Sequence, residues 1–377
     1  MKFASRLAGI DISGIRRMFD LAGDEDVINL ALGEPDFPIP PESKEAISRA
    51  LEEDFTHYTP SKGIPELRKA IVQRELEKGA SIKEEEIIVT SGASEALHLA
   101  LLALVEAGDE VLIPDPGFVS YKPLVEIAGG RAIPYFLLEE DNFDIDLEAL
   151  KEQITDKTHM IIMNSPSNPT GAVLSEDSIK GVAEIADEAG IPLLSDEIYD
   201  EIIYDGKHHS PTKFTDNAII VKGFSKSYAM TGLRLGYVYA GREAIEEMIK
   251  VHQYIQASTC SLSQRAALAA LDSRVFGEKM VAVLRTKRDL ILQQLGKIPG
   301  VTCITPGGAF YVFPNFSRYG DSNTLVMKFL REARVVATPG TAFGQGSDGY
   351  IRFSYATGRE KILEGIKRIR RCFDEVA

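Results

Sequence analysis

The stretch Ala218-Ile219-Ile220-Val221-Lys222, running into Gly223-Phe224-Ser225-Lys226-Ser227-Tyr228-Ala229-Met230-Thr231-Gly232-Leu233-Arg234-Leu235-Gly236, sets the reading of the whole chain. Its first residues form a β-branched apolar run with the character of a buried strand. The glycines and hydroxyl residues that follow break any amphipathic period, so the strand ends in a polar loop that carries Lys226. A lysine at such a strand end suits an amine that attacks a carbonyl, and amines of that kind need a pKa lowered by burial or by a nearby cation. Arg234, eight residues on, is a candidate for that cation. A solvated loop lysine is the plainer alternative, and only the rest of the chain decides between the two.

Working outward, the middle of the chain alternates strand-like and helix-like segments. Ile87-Ile88-Val89-Thr90, Val111-Leu112-Ile113-Pro114, Met160-Ile161-Ile162-Met163 and the run from Ile191 to Ser195 read as further strands. Between them, Ser94 to Val105 carries apolar residues at helical spacing, with Gly108 closing it. Ser175-Glu176-Asp177 opens another helix with a capping candidate and first-turn acids, and Gly190 ends it. Near-continuous apolar strands alternating with helices predict an α/β fold with a mainly parallel sheet covered on both faces. The last third differs. A long charged helical stretch precedes Lys297. Gly308-Ala309-Phe310-Tyr311-Val312-Phe313-Pro314 alternates like a half-exposed strand, Tyr350 to Tyr355 like another, and an amphipathic helix starts near Glu360. These segments predict a smaller α+β domain over 281–377, a large domain over 46–280, and an N-terminal segment, 1–45, packing with the small domain.

A chain of 377 residues exceeds one compact core, in keeping with two domains. The apolar share of 44% and charged share of 26% are ordinary for a globular protein. A net charge of -14 argues against a nucleic-acid footprint, which wants a basic face, but leaves room for a local cationic pocket. Cys260, Cys303 and Cys372 are far apart, show no zinc spacing, and read as reduced. The six histidines form no metal motif, and His208-His209 reads as part of a solvated polar loop. Met1-Lys2-Phe3-Ala4-Ser5-Arg6 has no apolar signal-like core, and the longest apolar stretch, Ala96 to Val105, is too short to span a bilayer. The expectation is a cytoplasmic protein that engages neither nucleic acid nor membrane.

Ligands of open α/β sheets bind beyond the carboxyl ends of the strands, and polar groups cluster at those positions. Ser91-Gly92-Ala93-Ser94 feeds a helix N-terminus whose backbone N–H groups, with the Ser94 hydroxyl, suit an anion such as phosphate; an ordinary N-cap is the alternative. Phe118 offers a face for a planar ring or is a core aromatic. Asn164-Ser165-Pro166-Ser167-Asn168-Pro169-Thr170-Gly171 is a stiff loop presenting the Asn168 amide. Asp196 ends a buried strand, where a carboxylate needs a partner such as a protonated ring nitrogen, unless it caps a helix. Tyr199 brings a phenol to the same place. Together these groups outline pyridoxal phosphate: a phosphate, a flat ring, a phenolate oxygen, a pyridinium nitrogen and an aldehyde.

With these residues in place, the chain resembles the class I/II aminotransferases, enzymes of the fold-type I pyridoxal-phosphate group. Asn168-Pro169-Thr170-Gly171, Ser195-Asp196-Glu197-Ile198-Tyr199, and Ser225-Lys226-Ser227 with Gly232-Leu233-Arg234-Leu235-Gly236 carry the resemblance, which runs from Gly33-Glu34-Pro35-Asp36-Phe37 to Ile351-Arg352-Phe353-Ser354-Tyr355-Ala356. It implies a seven-stranded, mainly parallel sheet between helices, plus a smaller α+β domain. Lys226 is then the residue that links covalently to the cofactor aldehyde and moves the substrate proton. Asp196 pairs with the ring nitrogen, and Asn168 and Tyr199 bond the ring oxygen. Ala93, Ser94, Ser225 and Arg234 hold the phosphate, and Phe118 covers the ring. Arg352 grips the substrate α-carboxylate, helped by Asn168, and Gly33 admits the substrate close to the backbone. Tyr58 reaches the phosphate of a partner subunit, so a homodimer is implied. The implied reaction is ping-pong transfer of an amino group from an L-amino acid to a 2-oxo acid.

The pattern is nearest to archaeal-type aspartate and aromatic aminotransferases, with aspartate and 2-oxoglutarate the favoured pair. Three departures matter. Leu233 replaces a tryptophan common in relatives, and Phe118 replaces a frequent tyrosine. Glu95 stands where one aspartate-specific branch has a lysine that meets the distal carboxylate. Ile15 and Phe19 are candidates for an apolar pocket wall that would favour aromatic substrates. A lyase on the same fold would share Lys226 and Asp196, although Arg352 favours transamination. A cofactor-sensing regulator would need a DNA-binding domain for which no residues remain. A nicotinamide enzyme is disfavoured because no GxGxxG follows a first strand.

Overall fold

The computed structural model describes residues 1, 3–10 and 26–373; Ile15 and Phe19 lie outside the described residues. Seven strands form the main sheet: β1 (Ile87–Thr90), β2 (Glu110–Asp115), β3 (Arg131–Phe136), β4 (Thr158–Asn164), β5 (Leu193–Asp196), β6 (Ala218–Gly223) and β7 (Gly236–Tyr239). Their spatial order is β1-β7-β6-β5-β4-β2-β3. Only β7 runs against the others, pairing antiparallel with both β1 and β6. The carboxyl ends of β1, β2, β4, β5 and β6 therefore share one edge.

The side-chain period of two, applied to strands buried on both faces, explains their unbroken apolar runs. Ile88, Met160, Ile162 and Leu194 pack on one face with Ala96, Leu97, Ala100 and Leu101 of helix α1 (Ala93–Leu104). Ile161, Met163 and Leu193 face the other way, onto Ile179, Val182, Ala183 and Ala186 of helix α2 (Glu176–Ala189). Ser175 caps α2 by accepting a hydrogen bond from the Ser178 N–H, and Gly190 ends it in the left-handed region, as expected.

Another core gathers Ile28 and Leu30 with Phe310, Val312, Phe353 and, from helix α4 (Arg359–Arg371), Ile362 and Ile366. Three short strands line it: β8 (Tyr311–Val312), β9 (Thr338–Pro339) and β10 (Ile351–Ser354). The segment expected to be half-exposed, Gly308 to Pro314, is instead buried from Gly308 through Pro314. Only Tyr311–Val312 of it is strand, and both faces are covered, so the pattern does not report exposure here. Ile198, Tyr199 and Ile202, from the loop after β5, belong to this same core. The loop that carries Tyr199 is thus clamped by residues from the far end of the chain. Helix α3 (Arg274–Leu295) runs through position 280 without a break. No helix among the described residues is long and apolar enough to cross a membrane.

Candidate functional site

A cavity of about 270 Å³ opens at the shared carboxyl edge of the strands. Gly33, Ala93, Ser94, Phe118, Asn168, Asp196, Tyr199, Ser225, Lys226, Arg234 and Arg352 all line it. Of the residues given a cofactor or substrate role in the sequence, Tyr58 alone is elsewhere: it is 89% exposed and borders a separate depression with Phe55 and Arg265.

One wall suits an anion. Helix α1 begins at Ala93 with Gly92 as its N-cap residue and no side-chain cap, so its first N–H groups are open toward the cavity end. Ser94 is therefore not the cap but the second residue of the helix. Gly92 has φ of 78°, and a Cβ there would meet Arg234 Nη2 at 2.8 Å, so only glycine lets the guanidinium settle against the turn. Arg234 itself holds the left-handed conformation and donates from Nη1 to the Thr231 carbonyl at 3.0 Å.

Opposite the cup lies Asp196, at the end of β5. Its Oδ2 accepts from the Tyr121 hydroxyl at 2.9 Å, and its Oδ1 from the Ile198 N–H at 3.2 Å. Burial raises its carboxyl pKa to about 6, a rise that these two hydrogen bonds only partly offset. The carboxyl faces the cavity and closes its own turn; no helix directly follows it, so the helix-cap alternative falls away. Asn164 fixes the backbone here, donating from Nδ2 to the Asp196 carbonyl at 2.8 Å and accepting from the Asn168 N–H at 2.9 Å.

Lys226 sits in the short helical turn Phe224–Ser227, directly after β6. Its Nζ donates to the Gly33 carbonyl at 2.7 Å. Burial, followed by the positive charge of Arg352, brings the amine down to about 8, and Arg234 pushes the same way. The expectation of a perturbed lysine holds, although Arg352 outweighs Arg234 as the cationic cause.

Arg352, on β10, is 1% exposed. Its guanidinium carbon lies 4.5 Å from the Tyr311 ring centroid and 4.9 Å from that of Phe343. Nη1 donates to Asn168 Oδ1 at 2.8 Å and Nη2 to the Ala31 carbonyl at 2.6 Å, while Nε has no partner among the described residues. A buried, incompletely satisfied guanidinium with a planar donor fork suits a carboxylate. Phe118 meets Tyr121 edge-on at 5.7 Å and shows part of its surface to the cavity, so it is both packing residue and wall.

Tyr121, Asn164 and Tyr311 were not singled out in the sequence. Asn164 opens a stretch that was, at the end of β4, and Tyr121 begins a helix three residues after Phe118. Tyr311 offered no local signal. Glu95 turns away from the cavity: it accepts from the Ser91 N–H and lies 2.8 Å from His252 Nδ1. The two loop histidines are not solvated as expected. His208 Nε2 is 3.0 Å from buried Glu197, and His209 Nδ1 is 3.2 Å from Glu176. Glu197 is fully buried and also lies 3.2 Å from Lys222 Nζ, so His208 packs onto a group hidden from solvent.

Against known proteins, the family model for aminotransferase class I and II matches residues 25–369. A probable aspartate aminotransferase of Methanocaldococcus jannaschii is 48% identical over 98% of this chain and 100% of its own. Aromatic-amino-acid aminotransferase 2 of Thermococcus litoralis is 38% identical over 100% of this chain and 99% of its own. Among solved structures, the aspartate aminotransferase from Thermus thermophilus with maleate superposes with a TM-score of 0.95, at 36% identity, over 99% of this chain and 100% of that one. A match of this extent, on a chain whose strand edge gathers the family's motifs into one cavity, makes this protein a member of the class I and II aminotransferases.

Proposed function

We propose that the protein holds pyridoxal phosphate in this cavity and transfers the amino group of an L-amino acid, aspartate being favoured, to 2-oxoglutarate. The observation that carries this is geometric: one cavity brings together the Asp196 carboxyl, which burial raises, and the Lys226 amine, which burial lowers. Neither is where a merely structural group would rest, and each suits one end of a ring bearing a basic nitrogen and an aldehyde. The uncapped helix beside Arg234, with Gly92 leaving room, fits the phosphate.

When bound, the cofactor supplies an aldehyde for covalent attachment and a cationic ring that draws electrons from the substrate Cα. Ala93, Ser94, Ser225 and Arg234 hold its phosphate. Asp196, kept at its angle by Tyr121, accepts a hydrogen bond from the ring N–H and so keeps the proton there. Asn168 uses its oxygen on Arg352, which leaves its Nδ2 to donate toward the ring oxygen alongside Tyr199. Arg352 binds the α-carboxylate with a fork held flat between two aromatic rings, aiming the Cα–H at Lys226. Lys226, partly neutral near neutral pH, would take the proton from Cα and deliver it to the carbon that the cofactor aldehyde supplies. Gly33 keeps the backbone close without a side chain in the way.

The aspartate relatives support aspartate as donor. An aromatic donor is the second reading, favoured by the apolar walls that Leu32, Phe118, Ile198 and Tyr311 contribute and by Glu95 pointing elsewhere. The reading also includes a homodimer in which Tyr58 completes the partner's phosphate site; the exposure of Tyr58 supports it. Domain boundaries near residues 45 and 280 belong to it too, supported by the core that Ile28 and Leu30 share with Phe310, Val312 and Phe353. A cytoplasmic setting is supported by the unpaired thiols of Cys260 and Cys303. Mixing the holoenzyme with single amino acids, and timing the loss of the visible absorbance of the lysine-bound cofactor, tests the whole. Aspartate should be fastest; a faster response to tyrosine or phenylalanine would establish the aromatic reading instead, and no response to any amino acid would refute transamination.

A further inference from the structure

The Tyr311 hydroxyl has a place in the cavity that none of the roles above accounts for. Tyr311 lies in β8, is 1% exposed, and belongs to the core that also holds Ile198 and Tyr199. Its hydroxyl is 2.8 Å from the Tyr199 hydroxyl, with the two rings nearly perpendicular at 86°. That is the only hydrogen bond of the Tyr311 hydroxyl among the described residues. On its other side the hydroxyl is hemmed in by Gly33, where an added Cβ would fall 2.2 Å from the oxygen. The face of the same ring carries the Arg352 guanidinium, 4.5 Å from the centroid.

A proton count sets the direction of the tyrosine pair. Each phenol has one proton to donate. On the function proposed above, on which this inference rests, Tyr199 gives its proton to the ring oxygen of the cofactor. Tyr311 must then donate to the Tyr199 oxygen. Hydrogen bonds in such a chain strengthen one another, because a phenol that accepts becomes a better donor. A cation over the ring face makes the Tyr311 hydroxyl more acidic and pushes in the same sense.

We propose that Tyr311 is a positioning residue with two separable duties: its hydroxyl polarises Tyr199 toward the cofactor ring oxygen, and its ring holds Arg352 flat for the substrate carboxylate. The two halves of the site, ring and carboxylate, thereby share one side chain.

The test is a pH titration of the visible band of the holoenzyme, comparing wild type with Tyr311→Phe, Tyr199→Phe and the double variant. A donor at the ring oxygen withdraws negative charge that would otherwise hold the proton on the nitrogen joining Lys226 to the cofactor. Losing the donor raises the midpoint. Tyr199→Phe should raise it most, Tyr311→Phe should raise it by roughly half a pH unit, and the double variant should go no higher than Tyr199→Phe. A Tyr311→Phe midpoint equal to wild type, or a double variant showing the sum of the two shifts, overturns the hydroxyl's duty. Steady-state kinetics separate the ring's duty. Tyr311→Phe should leave KM for the amino acid near wild type while lowering kcat, and Tyr311→Leu should raise KM by roughly tenfold. A Tyr311→Leu KM equal to wild type overturns that duty; if that variant does not fold, the Tyr311→Phe titration still decides the first. A wild-type chain with no visible band would instead sink the proposed function itself, and this inference with it.

Discussion

Two faces of one short turn carry opposite chemistry. Asp196 and Glu197 are adjacent and both buried, yet Asp196 is raised to about 6 and Glu197 held at about 2. Lys222 and Lys226, four residues apart, diverge likewise: Lys226 is lowered to about 8, and Lys222 is held well above its ordinary value. Burial pushes all four toward neutrality; what differs is company. Behind the turn, Lys222 Nζ lies 2.7 Å from Glu75, 2.9 Å from Asp200 and 3.2 Å from Glu197. Lys78 adds a second cation 2.7 Å from Asp200, and Tyr237 and Tyr239 donate to Glu75. Toward the cavity, Asp196 has only a phenol and a backbone N–H as donors, and Lys226 faces Arg352. Ion pairs complete the back of the turn, whereas the front keeps its charges waiting for a ligand.

Breaking the front at Lys226 should have the largest effect. Lys226→Ala should lower the rate of amino-group transfer by at least roughly a thousandfold and abolish the covalent link to the cofactor, read by mass spectrometry of the borohydride-reduced protein. Full activity in this variant would remove Lys226 from the chemistry. Breaking the back should cost stability instead. Lys222→Met leaves Glu75, Glu197 and Asp200 without their central cation and should destabilise the fold by about 3–5 kcal/mol in urea unfolding. A loss within experimental error would mean that the network is decorative.

Arg352→Ala should raise KM for the amino acid by roughly a hundredfold with much less change in cofactor affinity, since the fork serves the carboxylate. The reverse pattern would move Arg352 to the cofactor. The smallest effect, and the one that most sharpens the contrast, concerns Asp196. Its folded pKa is raised above the unfolded value, so the penalty is absent below about pH 4, grows as pH rises toward 6, and is complete above that. Without cofactor, Asp196→Asn should therefore be more stable than wild type by on the order of 2 kcal/mol at neutral pH and equal to it near pH 4. The same variant should bind cofactor poorly. Equal stability at both pH values would show that the carboxylate is already compensated.

Much of this site is legible in one dimension because its parts sit where strands end. A β-branched run followed by Gly, Asn, Pro or Ser announces both the strand and the loop that must follow it. In a mainly parallel sheet those loops have to meet at one edge. Lys226, Asp196, Asn168 and the Gly92–Ser94 turn could be placed together on that ground alone, and Arg352 and Gly33 followed from the family pattern. The half-exposed reading of Gly308 to Pro314 failed because a local pattern does not report what covers each side. His208 was misread as solvated because nothing near it in sequence reveals Glu197.

The sequence by itself determined the strand and helix periods, the caps at Ser175 and Gly190, and the identity of the reactive groups, all of which depend on residues a few positions apart. Tertiary structure alone decided which charges are answered and which are left open. The Tyr121–Asp196, Lys222–Glu75 and Tyr199–Tyr311 contacts span 75, 147 and 112 positions of chain. Electrostatic partnership acts through distance in space, and no local period encodes it. Lys226 can thus be named as the reacting amine from its neighbours in sequence, but it is made reactive by burial and, after it, by Arg352, 126 residues away along the chain.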